Sequence, residues 1–561
     1  MKSHFLTTIL YTLILTVVLN SSYAKNKDFN YNAKNISNYF SAILSFHNLN
    51  YEKSENFFKK INDSEKNSTK QSSKYIQSLI NSGKYIEAER YSKGLENKKK
   101  SNFESKLILG LSEFKKENYI KAKKYFNEIE KNREHLAVSR ILKISLNIWS
   151  SIEEDGISSI QNIPERYNNF KIIQNTLANC FFDTNETTKV FNEILNNKKE
   201  NFSRYYFFYA NYLINQNKKL EANEIINYAS KKYPNNLLIN QLKKTYLDKE
   251  KNYNNFNCKN KNHIIAEIFY IISNALSTQT NYELSNFYAN LSKYLNPKFS
   301  SYNSLLGENF FVLKKYEKSK KIFNQLSKTG SVYKWYSSRQ IAFILYEQNK
   351  KDEAVKSLTK SYKKINPSIY QTYDFANFLR NNEDYESSIK LYTTLLSKIN
   401  KNHELYPKIL DRRGTAYERV KKLELSEKDL LMSLKISPNQ PYVINYLAYS
   451  WLEQGKNLDK SLEMLRKANE LKRDDGYITD SLGWALYKLN KFEESKKFLK
   501  AAIILMPQDP IVNDHFADCL WKNNQKIQAR YYWNYVLELK DTEKKLKKSI
   551  KNKLIFGLEK G

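Results

Sequence analysis

Small residues recur through this chain at a nearly constant interval, and that interval constrains the fold more than any other feature. Ser54, Ala88 and Ala122 are spaced by 34 and 34 residues. Ser285, Ser319, Ala354, Ser388, Ser426, Ser461, Ser495 and Ala529 follow at steps of 34, 35, 34, 38, 35, 34 and 34. A self-similar period of this length marks stacked helix pairs, each unable to bury its apolar face alone. The expected fold class is therefore all-α, an α-solenoid of helix-turn-helix repeats. Its natural product is an extended binding surface.

These small residues belong to the second helix (helix B) of each pair, at position 20 when a repeat is numbered internally. The first helix (helix A) carries its own small residue at position 8. Ala210, Ala222, Ile226, Ala229 and Pro234 occupy positions 8, 20, 24, 27 and 32. Gly414, Ser426, Leu430, Ser433 and Pro438 repeat the set, as do Gly483, Ser495, Leu499, Ala502 and Pro507. Two helices crossing at close range need small residues at 8 and 20, and a proline cannot continue helix B. This combination resembles the tetratricopeptide repeat (TPR) family, which implies a right-handed superhelix with a concave groove. Scarce Gly (12) and Pro (9) suit long helices joined by short turns.

The period also locates the interruptions. From Ala122 to Ala222 is 100 residues, close to three periods, so two degenerate repeats are expected within 131–200. From Ala222 to Ser285 is 63, not a whole number of repeats. That interval holds the polar stretch Asp248–His263, which lacks helical periodicity and reads as a linker (248–263) between an N-terminal array (25–247) and a C-terminal array (264–540). In the tail, 541–561, Leu546, Ile550 and Leu554 recur every four residues among lysines. An amphipathic helix capping the last repeat is expected there, with contact to an anionic membrane as the alternative.

The N-terminus has a basic start at Lys2, an apolar run from Phe5 to Leu19 and a small-x-small ending at Ala24. It reads as a signal peptide, 1–24, cleaved after Ala24, and places the mature protein in the periplasm or otherwise outside the cytoplasm. An uncleaved membrane anchor is the alternative, although the apolar run is shorter than the ~20 residues that span a bilayer. Cys180, Cys258 and Cys519 form no CxxC pair, so at most one disulfide is expected, with Cys258 as the free thiol. A formal charge of +33 suggests nucleic acid or an anionic surface. The excess lysine is spread along the whole chain beside abundant Asn, Ile and Tyr, a pattern that follows from base composition without a dedicated basic face.

The segment from Arg412 to Lys540 goes further. Arg412–Arg419, Asn445–Trp451, Asp475–Ala485 and Asn513–Asp518 resemble a family of exported proteobacterial TPR proteins. Some of its members are outer-membrane lipoproteins that act as adaptors for periplasmic proteases. The resemblance implies an adaptor role. The chain lacks the lipoprotein cysteine of those relatives.

Catalytic motifs are missing. The pattern offers no HxxxH, GxxxxGK[ST], GxGxxG or GxSxG, and the i, i+4 pair His515 and Cys519 lacks a third ligand at metal spacing. No enzyme activity, cofactor or metal is expected. Binding is more legible. Positions 2, 5, 9 and 12 of helix A form one stripe, which in a TPR superhelix lines the groove. In the last three repeats the expected partner-binding residues on that stripe are Tyr442, Asn445 and Tyr449, then Tyr477, Asp480, Trp484 and Tyr487, then Asp514, Asp518 and Trp521. This aromatic and acidic set predicts a protein or peptide partner with apolar and Lys or Arg side chains, and no nucleic acid. The expected function is an exported interaction scaffold of the bacterial envelope. The alternatives are a structural protein bound to anionic lipid or cell-wall polymer through its lysine-rich exterior, and a periplasmic assembly helper.

Overall fold

The computed structural model describes residues 33–61, 69–129, 136–197, 200–247, 249–251 and 254–558. The expected signal peptide lies outside them. The described residues form 29 α-helices and no strand, apart from one isolated bridge between Asn254 and Phe299. They divide into two compact units, up to Glu347 and from Gln348 onward.

The repeat unit is built as its spacing requires. Ser54, Ala88, Ala122, Ser285, Ser319, Ala354, Ser388, Ser461, Ser495 and Ala529 are fully buried at the helix crossings. A Cβ on Gly483 would lie 2.6 Å from Cγ of Leu499, which fills position 24 of the same repeat, and one on Gly110 would lie 2.3 Å from the Phe126 ring. Serine adds something that smallness alone does not. Ser285, Ser319 and Ser495 each donate their hydroxyl across the crossing to the position-8 carbonyl, at 2.8 Å from Ser273, Gly307 and Gly483 respectively. The turn from helix A to helix B passes through the left-handed region at position 15, a conformation that costs most side chains energy. Glycine occupies it at Gly83, but Lys314, Lys421, Asn490 and Asn524 adopt it as well.

The first unit departs from the expected layout. Among the described residues of 131–200, where two degenerate repeats are expected, Leu136–Asp155 is kinked at Ser151 and followed by 3-10 turns at Ile157–Asn162 and Glu165–Tyr167, and Asn168–Phe182 with Thr187–Leu195 forms a hairpin. The described residues 254–263 of the stretch read as a linker pack into this unit, and the division between units falls at Glu347 and Gln348 instead. Asn254, Phe256 and Cys258 are buried, and Phe256 packs edge-on against Phe208 at 4.4 Å. Cys258 is not free. It is bonded to Cys180, across 78 residues of sequence, and the free cysteine is the buried Cys519.

Helices that follow this segment return to the first repeats. Glu283 pairs with His47 and with Lys74, both at 3.2 Å, and the Tyr85 hydroxyl donates to the Asn290 carbonyl at 3.0 Å. Phe310 completes an apolar cluster with Phe46, Leu49 and Tyr51. At the centre, Arg204 makes a two-pronged ion pair with the fully buried Glu267, at 2.7 and 2.8 Å, while its guanidinium lies 3.8 Å from the Tyr270 ring centroid. Burial raises the Glu267 carboxyl above its ordinary range, against the pull of Arg204.

The second unit is regular. After the single helix Lys351–Tyr362, helix pairs follow one another from Ile369–Asn381 with Tyr385–Lys398 to Pro510–Lys522 with Lys526–Glu538, each packed on the next. The last helix, Lys544–Phe556, lies on the final repeat with Ile550 fully buried and Leu546 and Leu554 packed beside it. Its apolar side thus faces protein. Among the described residues no helix is long and apolar enough to cross a membrane.

Candidate functional site

In the second unit the helix A stripe lines open concavities, and the ten expected residues fall into three settings. Tyr442 and Tyr477 are exposed, at 54% and 61%. The Tyr442 hydroxyl donates to Asp475 at 2.9 Å and accepts from Lys472, whose ammonium lies over the ring. Asn445, Tyr449, Tyr477 and Asp480 line a cleft of about 250 Å³ together with Tyr446, Ser481, Asp509, Ile511, Val512 and His515. Burial, with Glu453 and Asp480 adding to it, raises the Tyr449 phenol, so it stays protonated.

Trp484, Tyr487 and Asp480 are engaged by their own neighbours. The Trp484 indole stacks on Tyr487 at 4.7 Å and on His515 at 3.9 Å, and its N–H donates to Glu453 at 3.0 Å. Asp480 is 6% exposed and bonded to Nδ1 of His515 at 2.9 Å. Burial depresses the His515 imidazole, but Asp480, reinforced by Asp514 and Asp518, outweighs it and raises the pKa.

The last three residues do not face an open groove. Lys553, from the C-terminal helix, reaches both Asp514 (2.7 Å) and Asp518 (2.8 Å), and Trp533 donates to Asp518 at 3.0 Å. Burial and then Asp514 push the Asp518 carboxyl up to about 6, against Lys553. Trp521 is covered by the chain end, where a Cβ on Gly557 would lie 2.2 Å from its ring. Asp514, Asp518 and Trp521, expected on the partner-binding stripe, thus contact the C-terminal segment of the chain itself. The reason is physical: the tail itself brings the lysine-bearing apolar face that this acidic, aromatic end attracts.

A second concavity on the stripe reaches from Tyr442 back over the two preceding repeats, where the sequence reading named no residue. A cavity of about 910 Å³ is walled by Tyr373, Arg380, Lys408, Arg412, Arg419 and Tyr446, with Asp411 and Glu383 among its other residues. Tyr373 and Arg380 are positions 5 and 12 of the Ala376 repeat, and Lys408 and Asp411 are positions 2 and 5 of the Gly414 repeat. Applying the stripe rule two repeats further toward the N-terminus would have found them. Tyr446 also borders the smaller cleft, and its hydroxyl donates to Glu418 at 2.8 Å. No group of three or more His, Cys, Asp or Glu among the described residues could hold a metal ion.

Comparison with known proteins agrees with the repeat type. No family model matches the chain. A TPR repeat-containing protein of Pseudomonas aeruginosa is 26% identical over 172 residues, covering 30% of this chain and 28% of that relative. The match thus spans little more than a quarter of the relative's length. Among solved structures, a thermophilic TPR protein of Thermus thermophilus covers 34% of this chain and 100% of its own at 14% identity and TM-score 0.29. The Cut9–Hcn1 hetero-tetramer of the APC/C covers 94% of this chain and 97% of its own, at 13% identity and TM-score 0.38.

Proposed function

We propose that this protein is a non-enzymatic interaction scaffold whose second unit holds an extended segment of a partner protein along the helix A stripe. The observation that carries this reading is the pair of adjoining concavities that share Tyr446, built from stripe positions of successive repeats and rimmed by exposed Tyr442 and Tyr477. Aromatic residues supply large contact area at low entropy cost, as binding surfaces require. We place the scaffold outside the cytoplasm, in the bacterial envelope. The Cys180–Cys258 disulfide supports that placement, because such bonds persist in oxidising compartments. The resemblance of Arg412–Lys540 to exported adaptors supports it as well.

A photo-crosslinking residue replacing Tyr477 tests the groove in the protein's own cells. A discrete adduct with one protein should form from position 477 and not from the exposed helix B position Ile504. Equal labelling from both positions would place the partner elsewhere.

A further inference from the structure

The groove's acids are committed within the chain: Asp514 and Asp518 to Lys553, and Asp480 to His515. Its cations are not held so closely. In the 910 Å³ cavity, four basic side chains face two carboxylates, Asp411 and Glu383. Arg412 and Arg419 meet only their sequence neighbours Asp411 and Glu418, at 3.6 and 3.7 Å, beyond hydrogen-bond distance, with 42% and 61% of their side chains exposed. Arg380 donates to the neutral oxygens of Thr415 and Asn381, and its buried Nε has no hydrogen-bond partner among the described residues. Guanidinium groups match carboxylates in shape as well as charge. Beyond Tyr446 the adjoining 250 Å³ cleft presents Tyr449, Tyr477, Ile511 and Val512, while its two carboxylates are engaged within the chain, Asp480 by His515 and Asp509 by the backbone N–H groups of Ile511 and Val512.

Resting on the groove reading above, the geometry points to a partner segment of the opposite sign to the one the sequence suggests: an extended stretch with acidic side chains in the arginine cavity and one large apolar side chain in the adjoining cleft. Arg412 lies on the first helix of the Gly414 repeat and Tyr477 on the first helix two repeats on; with neighbouring helices roughly 8–10 Å apart and an extended chain advancing about 3.3 Å per residue, the acidic and apolar side chains stand about five to six residues apart. The recognition is internal to a segment and needs no free chain end.

The test is fluorescence anisotropy of the full chain with three labelled peptides blocked at both ends. One carries two glutamates placed about five residues from a leucine; the second replaces the glutamates by lysine, and the third replaces the leucine by alanine. The first should bind at least tenfold more tightly than either of the others. Arg412→Gln combined with Arg419→Gln should weaken it about tenfold with helicity unchanged, whereas Lys548→Gln, on the exposed side of the C-terminal helix, should leave it unaltered. Equal binding of the lysine peptide overturns the proposal, and so does equal loss from Lys548→Gln, which would reveal only the general attraction of a +33 chain. A crosslink from position 477 together with failure of the glutamate peptide would refute the ligand's sign and leave the groove intact. Failure of both would remove the groove reading itself.

Discussion

The two units are made from one kind of helix pair, yet the first closes on itself and the second stays open. In the first unit, Glu283 reaches His47 and Lys74, and Tyr85 reaches Asn290, so repeats more than two hundred residues apart in sequence share one core. In the second, each pair packs mainly on its neighbours, and helix A stripes from Tyr373 to Ile511 line cavities. A repeat therefore does not determine by itself whether its concave face becomes core or groove. What decides is the presence of residues that return to it, and in the second unit only the C-terminal helix does so, at the last repeat.

The largest expected effect breaks the closed unit. Arg204→Met leaves Glu267 buried without its partner, a loss of about 3–5 kcal/mol. Urea unfolding followed by probes in each unit should show the first transition fall while the second holds. If both fall together, the contrast between closed and open units has no energetic counterpart.

Next is the one closure in the open unit. Lys553→Met strands Asp514 and Asp518 and should cost about 2–4 kcal/mol at neutral pH, less where a carboxyl takes up a proton. The sign follows from linkage. Asp518 titrates at about 6 in the folded chain against an ordinary 3.8, so the folded state holds the extra proton between those values and stability declines as pH rises through 6. His515, raised above 6.5, adds stability that is present below that value and disappears as pH climbs through its folded pKa. The groups facing them are Asp480, Asp514, Lys553 and the Trp533 N–H. Urea midpoints of the second unit should be higher at about pH 5.5 than at pH 8, and Asp518→Asn should flatten that slope. A midpoint that rises with pH would mean that Lys553 outweighs the burial of Asp518 and the neighbouring Asp514 carboxylate.

Gly483→Leu sharpens the comparison at the level of the repeat. Its Cβ would approach Leu499 Cγ at 2.6 Å and the Leu499 backbone nitrogen at 3.1 Å, so the helices must separate, at a cost of about 1–3 kcal/mol. The same helix carries Tyr477 and Asp480 of the smaller cleft, so peptide binding through that cleft should weaken too, whereas the arginine cavity two repeats away should keep its shape, since stacked repeats couple chiefly to their neighbours.

These features differ in how far they could be read from the sequence. The helix pairs, their crossing points and the stripe were legible because each depends on residues at most one period apart. Closure of the first unit was not, since Cys180 and Cys258, or Arg204 and Glu267, are joined by tertiary contacts without any period. The polarity of Asp248–His263 looked like a linker, while the three residues that anchor it, Asn254, Phe256 and Cys258, are too few to produce a pattern. The pairing of Asp514 and Asp518 was not legible either, because the lysine that meets them, Lys553, comes from beyond the last repeat.

The smallest effect asks whether the repeats of the two units are equivalent before closure acts. Position 15 is left-handed in both, at φ 56° for Lys314 and 64° for Lys421, and both side chains are exposed. A side chain in this region costs about 1–2 kcal/mol relative to glycine, and glycine returns part of that through the entropy of the unfolded chain. Lys314→Gly and Lys421→Gly should therefore each stabilise their own unit by about 0.5–1 kcal/mol, and Asn490→Gly by less, because asparagine tolerates the conformation. Matching gains at 314 and 421 would locate the difference between the units entirely in their long-range contacts. A gain confined to Lys421 would mean that closure of the first unit already strains or relaxes its turns, and that the two kinds of repeat differ locally as well.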